Sequence, residues 1–243
     1  MRFALCAGAS LIAACAAEPV APTAQNAQPT SEPHVVSVAE CSPERLHASY
    51  RVSAPGGDAS ELELVRRGGD TVLHVFGDLG VTELWYRGAS GHVVPTRLFD
   101  EDRRGIEYDT ADLHDIGREG AWGARWSLVP PEWADGDVAA TAGQGCEAVR
   151  AVRGDGFELH WNVALALPTR LETADRVLEL ERVRFGPSVE REFRRCADYH
   201  LVDFADIGDM EDDPFLQGLI GAGLLEHRVA GGGVDADGHD HTH

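Results

Sequence analysis

The sequence predicts a mostly β domain of the α+β type, an antiparallel sheet of hairpins with a few short covering helices. Three observations carry this. Beyond residue 34, short runs alternate apolar and polar residues, the period that sends successive side chains to opposite faces of a strand. Glycine and aspartate clusters separate those runs at hairpin spacing. Segments with helix caps or i, i+4 apolar spacing are few and short.

The hairpins follow in order. Residues 60–66 and 71–76 flank the turn Gly68-Gly69-Asp70, and residues 82–87 and 92–99 flank a turn at Gly88–Gly91. Residues 147–152 pair with 157–163 across Arg153-Gly154-Asp155-Gly156. In that last strand Phe157, Leu159, Trp161 and Val163 share one face, opposite Glu158, His160 and Asn162. Residues 170–173 and 177–185 form the fourth hairpin. The second of these changes phase between Leu180 and Val183, which predicts a bulge.

Three helices are expected. Thr110 caps residues 111–116, with Asp112 in the first turn and Gly117 as terminator. Trp122 and Trp126 share a helical face before Pro130-Pro131 breaks the run. Asp213 caps a helix begun by Pro214 that carries Phe215, Leu216, Leu219, Ile220, Leu224 and Leu225. Gly218, Gly221 and Gly223 weaken it by about 1 kcal/mol each relative to alanine, so it needs tertiary support.

Composition narrows the function. The 243 residues carry 41 acids against 21 basic residues, a net charge of −20, and every basic residue is arginine. Without lysine there is no Schiff-base chemistry and no phosphate-loop lysine. The acidic balance argues against nucleic acid, whose binding runs on basic patches.

The N-terminus reads as an address. Arg2 precedes twelve small or apolar residues, too short a run to span a bilayer but suited to a secretory signal. Ile12-Ala13-Ala14-Cys15 resembles the bacterial lipobox, which implies lipidation of Cys15, a cell-envelope location and a membrane partner through the lipid anchor. An ordinary secretory signal cut at the small-x-small site Ala14-Cys15-Ala16 also fits. Residues 16–34 hold four prolines, five alanines and no aromatic residue, a tether that cannot bury enough surface to fold. Ala16, rather than an aspartate, follows the cysteine, which resembles outer-membrane sorting with the domain on the periplasmic face. The organisation is thus a signal peptide at 1–14, the lipidated cysteine and tether at 15–34, a single β-rich domain at 35–228, and a disordered Gly/Asp/His tail at 229–243.

An exported domain meets oxidising conditions, so Cys41, Cys146 and Cys196 predict one disulfide and one thiol. All three pairings are open. Cys146–Cys196 is the expected one, because Cys41 lies nearest the tether.

A lipobox, a proline-rich tether and hairpins around a short tryptophan-bearing helix resemble the LolA/LolB lipoprotein-carrier superfamily. The likeness is carried by Glu83-Leu84-Trp85-Tyr86-Arg87, by Leu167-Pro168-Thr169-Arg170-Leu171-Glu172 and by Leu178-Glu179-Leu180. It covers roughly residues 45–185 as an order of elements. It implies a curved antiparallel sheet, a half-barrel, around an apolar concavity plugged by helices. No residue-level signature of the carrier or its receptor is present, and no functional residue is carried over.

Four constellations offer chemistry. The tail from Asp235 to His243 alternates His239, His241 and His243 with Asp240 and Thr242, donors suited to zinc, copper or nickel; the plain reading is a solvated end that takes metal adventitiously. Asp203, Asp206, Asp209, Glu211, Asp212 and Asp213 form an acidic run that fits a calcium site or a docking patch for a basic partner such as an envelope protein, or more simply a solvated loop leading into the last helix. Phe76, Trp85, Trp122, Trp126, Trp133 and Trp161, with Phe157 and Leu159, line a candidate apolar pocket, or fill a core. Catalytic templates fail: Gly88-Ala89-Ser90-Gly91-His92 places its second glycine one residue early for a nucleophile elbow. The sequence therefore points to a non-catalytic, membrane-anchored protein that binds a hydrophobic ligand without a cofactor, with metal handling by the tail, or a ligand-free interaction module, as alternatives.

Overall fold

The computed structural model describes residues 41–116, 120–210 and 212–225. The Cys15 lipidation site, the segments 1–14 and 15–34, and the tail at 229–243 with His239, Asp240, His241 and His243 lie outside those residues, as do Gly117 and Glu211.

The described chain forms one open, curved, mostly antiparallel sheet. Strand β1 (Arg45–Ser53) sits in its middle. On one side the sheet meanders through β2 (Ser60–Arg67), β3 (Thr71–Phe76), β4 (Val81–Arg87), β5 (Val93–Phe99) and β6 (Arg104–Glu107). Three short helices follow: α1 (Thr110–Asp115), α2 (Trp122–Ser127) and α3 (Pro131–Ala134). The chain then returns through β7 (Val138–Ala142), β8 (Val149–Gly154), β9 (Phe157–Asn162), β10 (Leu167–Thr173) and β11 (Val177–Phe185), which closes against the free side of β1. After α4 (Pro187–Arg195), β12 (His200–Asp203) adds to β6 as a parallel edge strand, and α5 (Pro214–Gly221) ends the described chain.

The four expected hairpins are present. So is the bulge: Ser49 faces Arg182 and Tyr50 faces Leu180, which leaves Glu181 as the extra residue. Asp213 caps α5 as expected, accepting from the Phe215 amide, but the helix stops at Gly221, short of Leu224 and Leu225. α1 corrects the expected cap. Asp109, not Thr110, is the N-cap, and its carboxylate and that of Asp112 each accept the other's amide in a capping box.

Strand alternation sorts the core onto two faces. One face carries Leu46, Ala48, Tyr50, Leu64, Val72 and Trp85 under α2 and α3, and Val81, Phe99 and Ile106 under α1 and α5. The other carries Val65, Leu73 and Val75 under α4, which contributes Val189 and Phe193. The disulfide joins Cys41 to Cys146, with Cα atoms 5.9 Å apart, and Cys196 is the free thiol. This overturns the Cys146–Cys196 expectation for a geometric reason. Cys41 packs against the cluster under α2 and α3, whereas Cys196 packs on the opposite face of the sheet.

Candidate functional site

The register builds the broad helix-covered face row by row. One row runs Leu46, Arg66, Val72, Trp85, Pro95 across β1 to β5. The next runs Ala48, Leu64, His74, Glu83, Arg97, Ile106. A polar seam, His74–Glu83–Arg97, thus crosses this face beside the buried Arg66 of the first row, and on either side of the seam lie the two apolar clusters.

Of the eight expected pocket residues, seven come together: Trp85, Trp122, Trp126, Trp133, Phe157, Leu159 and Trp161 share one cluster. Phe76 does not join them. It packs with Val81 and Phe99 on the other side of the seam. Trp133 stacks on Phe157 at 4.2 Å between ring centroids. Gly154 makes room for that stack, because a Cβ there would meet the Phe157 ring at 2.1 Å. The aromatic side chains fill the face. Trp85 also lines a narrow cleft of about 10 Å³, the space of roughly one water, with Glu83, Pro95, Arg97, Tyr108, Leu113 and Ile116.

Polar fasteners hold α2 down. Arg66 is fully buried, and it donates Nε to the Trp126 carbonyl, Nη1 to Pro43 and Leu165, and Nη2 to Ala166, all at 2.7–3.0 Å. Its guanidinium also stacks 3.6 Å from the centre of the Trp126 ring. Burial pulls its pKa down to about 9, so it remains charged near neutral pH. Tyr50, on the same sheet face, has its hydroxyl pushed up by burial. His74 Nε2 lies 2.6 Å from the Arg125 carbonyl, and burial draws that imidazole down to about 4. It is therefore neutral near pH 7 and donates to the carbonyl. Glu83 accepts from Trp85 Nε1 at 3.2 Å, and Arg125 lies over the Trp85 ring.

Arg66 and His74 are the residues that sequence reasoning missed. The signal was there: Leu62, Leu64 and Arg66 alternate in phase, which turns the arginine inward.

The remaining candidates separate. Asp203 accepts from the Ala205 amide, Asp213 takes both terminal nitrogens of Arg104 at 2.9 and 2.7 Å, and Asp206, Asp209 and Asp212 are exposed. The Gly88–Gly91 segment is a tight turn between β4 and β5. Among the described residues, no three His, Cys, Asp or Glu side chains cluster as a metal site, and no helix is long and apolar enough to cross a membrane.

No family model matches the chain, and no curated protein matches it. Among solved structures it is similar to one of PNGF-II, with a TM-score of 0.37 and 9% identity. That likeness covers 65% of this chain and 30% of the other. The chain thus spans less than a third of that protein's length, and the likeness carries no functional assignment.

Proposed function

We propose that this chain is a membrane-anchored envelope lipoprotein, lipidated at Cys15 and held at the periplasmic face of the outer membrane, that binds a hydrophobic ligand without catalysing a reaction. The ligand class is a lipid, an acyl chain or a lipidated or hydrophobic peptide. One observation carries the binding reading: a broad apolar sheet face lies under helices that are fastened rather than self-supporting. α2 has six residues and α3 four, and neither has a capping side chain at its N-terminus. Helices this short are marginal alone. Arg66 and His74 grip α2 through main-chain carbonyls, while Arg66 also grips the Leu165–Ala166 loop and Pro43. Releasing those few bonds frees the cover as a unit and bares Trp85, Leu159 and Trp161 to a competing apolar molecule. A buried Leu-sized group is worth about 1.5–3 kcal/mol, so an acyl chain of several methylenes has enough to offset the lost packing. The N-terminal sequence supports the address, since acyl chains are the abundant apolar ligands at a membrane.

Native mass spectrometry of the unlipidated protein purified from cells, followed by lipid extraction, tests the reading. Co-purifying lipid that disappears in Trp161→Asp supports it. A protein that carries none and takes up no apolar fluorophore counts against it.

A further inference from the structure

The sheet face opposite the aromatic cover holds a polar cavity of about 210 Å³, room for a small solute. Its lining includes Ser49 from β1, Glu61 and Glu63 from β2, and Glu181, Arg182 and Arg184 from β11. The strand register explains the arrangement. Ser49 faces Glu63 across one side of β1 and Arg182 across the other. Because Ser49 alternates with Ala48 and Tyr50 of the apolar core, its row belongs to the face that α4 partly covers. The small serine is thus a low floor between longer side chains on the two neighbouring strands. The bulge at Glu181 adds one more residue to the β11 wall.

The two walls carry opposite charge. Glu181 is already engaged, accepting from Arg51 Nε at 2.8 Å with Nη2 at 2.7 Å, and those two charges cancel. Two carboxylates remain on the β2 side, Glu61 and Glu63, and two guanidiniums on the β11 side, Arg182 and Arg184. Among the described residues no ion pair joins either glutamate to either arginine, and neither arginine has a hydrogen-bond partner. Glu63 is held from behind by the buried His47, whose Nε2 lies 3.3 Å from Glu63 Oε2. That contact, with the charges of Arg184 and Arg195, keeps the Glu63 carboxyl below the usual carboxylate range. β2 and β11 flank β1, so the walls rise from strands about 10 Å apart. A lone cation in the gap meets the guanidiniums and a lone anion meets the carboxylates. A molecule with one charge of each sign at its two ends is attracted by both walls.

We infer that this cavity binds a small zwitterion, a free α-amino acid or dipeptide, with its ammonium on Glu61 and Glu63 and its carboxylate on Arg182 and Arg184. Charge-assisted hydrogen bonds of about 2.8 Å at each end suit a short molecule in a gap of this width. The site lies on the face away from the aromatic cover, so it stands or falls independently of the hydrophobic-ligand reading.

Isothermal titration calorimetry on the purified full chain carrying Cys15→Ser tests it, with glycine, L-alanine and L-alanyl-L-alanine as probes. At least one of them saturates the site, and blocking either end, by N-acetylation or by methyl esterification, weakens that probe about tenfold, the scale of one charge-assisted contact. The variants cross with the blocks. Arg182→Gln weakens the unblocked probe about tenfold and leaves its methyl ester unchanged, because the ester no longer engages the arginines. Glu61→Gln weakens the unblocked probe and leaves its N-acetyl form unchanged. Both side chains are exposed, so the unfolding midpoint stays that of the parent. Absence of saturable binding by all three probes overturns the site, and so does equal binding of blocked and unblocked forms or failure of the crossed pattern. Tighter binding of sn-glycero-3-phosphoethanolamine than of every amino-acid probe also overturns it, in favour of a lipid headgroup.

Discussion

Arg66 and Trp126 hold each other twice: the guanidinium stacks 3.6 Å from the indole centre while its Nε donates to the carbonyl of the same residue at 2.8 Å. A charge buried without a carboxylate is costly, and here the cost is offset by four main-chain carbonyls and an aromatic face. The four carbonyls belong to three separate segments, so a single side chain ties α2, the β9–β10 loop and the chain entry to the sheet. Arg66→Met keeps the volume and removes every donor. It lowers stability by roughly 3 kcal/mol in urea unfolding, because buried acceptors lose their partners. It also raises uptake of an apolar fluorophore, if the cover is what limits access. A variant with unchanged stability would show that the arginine is incidental.

His74 sets an acid limit on the fold. Its folded pKa is drawn down to about 4 from an ordinary 6.5, chiefly by burial. Between those values the unfolded chain binds a proton that the folded chain does not, so stability falls as pH falls through that window. Above pH 6.5 the contribution is fully present. The shift corresponds to up to roughly 3 kcal/mol. His74→Gln retains a donor for the Arg125 carbonyl without titrating, and it flattens the stability profile between pH 4 and 6.5. A slope identical to that of the parent would assign the acid sensitivity elsewhere.

The hairpins were legible because their strands obey a single local rule, alternation bounded by glycine and aspartate turns. The bulge at Glu181 was legible for the same reason, since an extra residue inverts the phase. Other elements gave weaker local signals. α4 offers only Val189 and Phe193 among charged residues, too narrow a stripe to stand out until Val65 and Leu73 are known to lie beneath it. β7, Val-Ala-Ala-Thr-Ala, has no large side chain and is exposed throughout; only its pairing with β8 defines it. The aromatic set was visible, but Phe76 fell across the seam because cross-strand register, not composition, decides which cluster a residue joins. Arg66 and His74 escaped because the sequence reading took inward positions to be apolar.

The disulfide closes a long loop. Cys41 and Cys146 are 105 residues apart, and the loop-entropy account gives a ceiling of about 5 kcal/mol, with roughly 2–4 kcal/mol the usual realised value. Reduction, or the double variant Cys41→Ser/Cys146→Ser, lowers the unfolding free energy by that amount. Cys196→Ser leaves it within about 0.5 kcal/mol, because that thiol bridges nothing. Non-reducing peptide mapping that linked Cys196 to either partner would refute the pairing.

Asp213 does two jobs that substitution can separate. Its carboxylate caps α5 at the Phe215 amide, and it receives both terminal nitrogens of Arg104, whose guanidinium also lies 4.2 Å from the Phe215 ring centre. Asp213→Asn keeps a good capping group and loses the ion pair, whereas Asp213→Ala loses both. The alanine variant is thus less stable than the asparagine variant by about 1 kcal/mol, the value of a cap. The remaining loss, common to both, measures the Arg104 contact. The bond from Arg104 holds the Asp213 carboxyl below the usual carboxylate range, so its contribution is present above the ordinary carboxyl pKa and disappears as pH falls through the lowered one. Both variants lose this acid-side dependence. Because the two side chains are only 20% and 17% exposed, the pair is screened less than a surface pair, and the difference between parent and Asp213→Asn persists in 1 M salt. Collapse of that difference with salt would show that the contact is an ordinary surface ion pair.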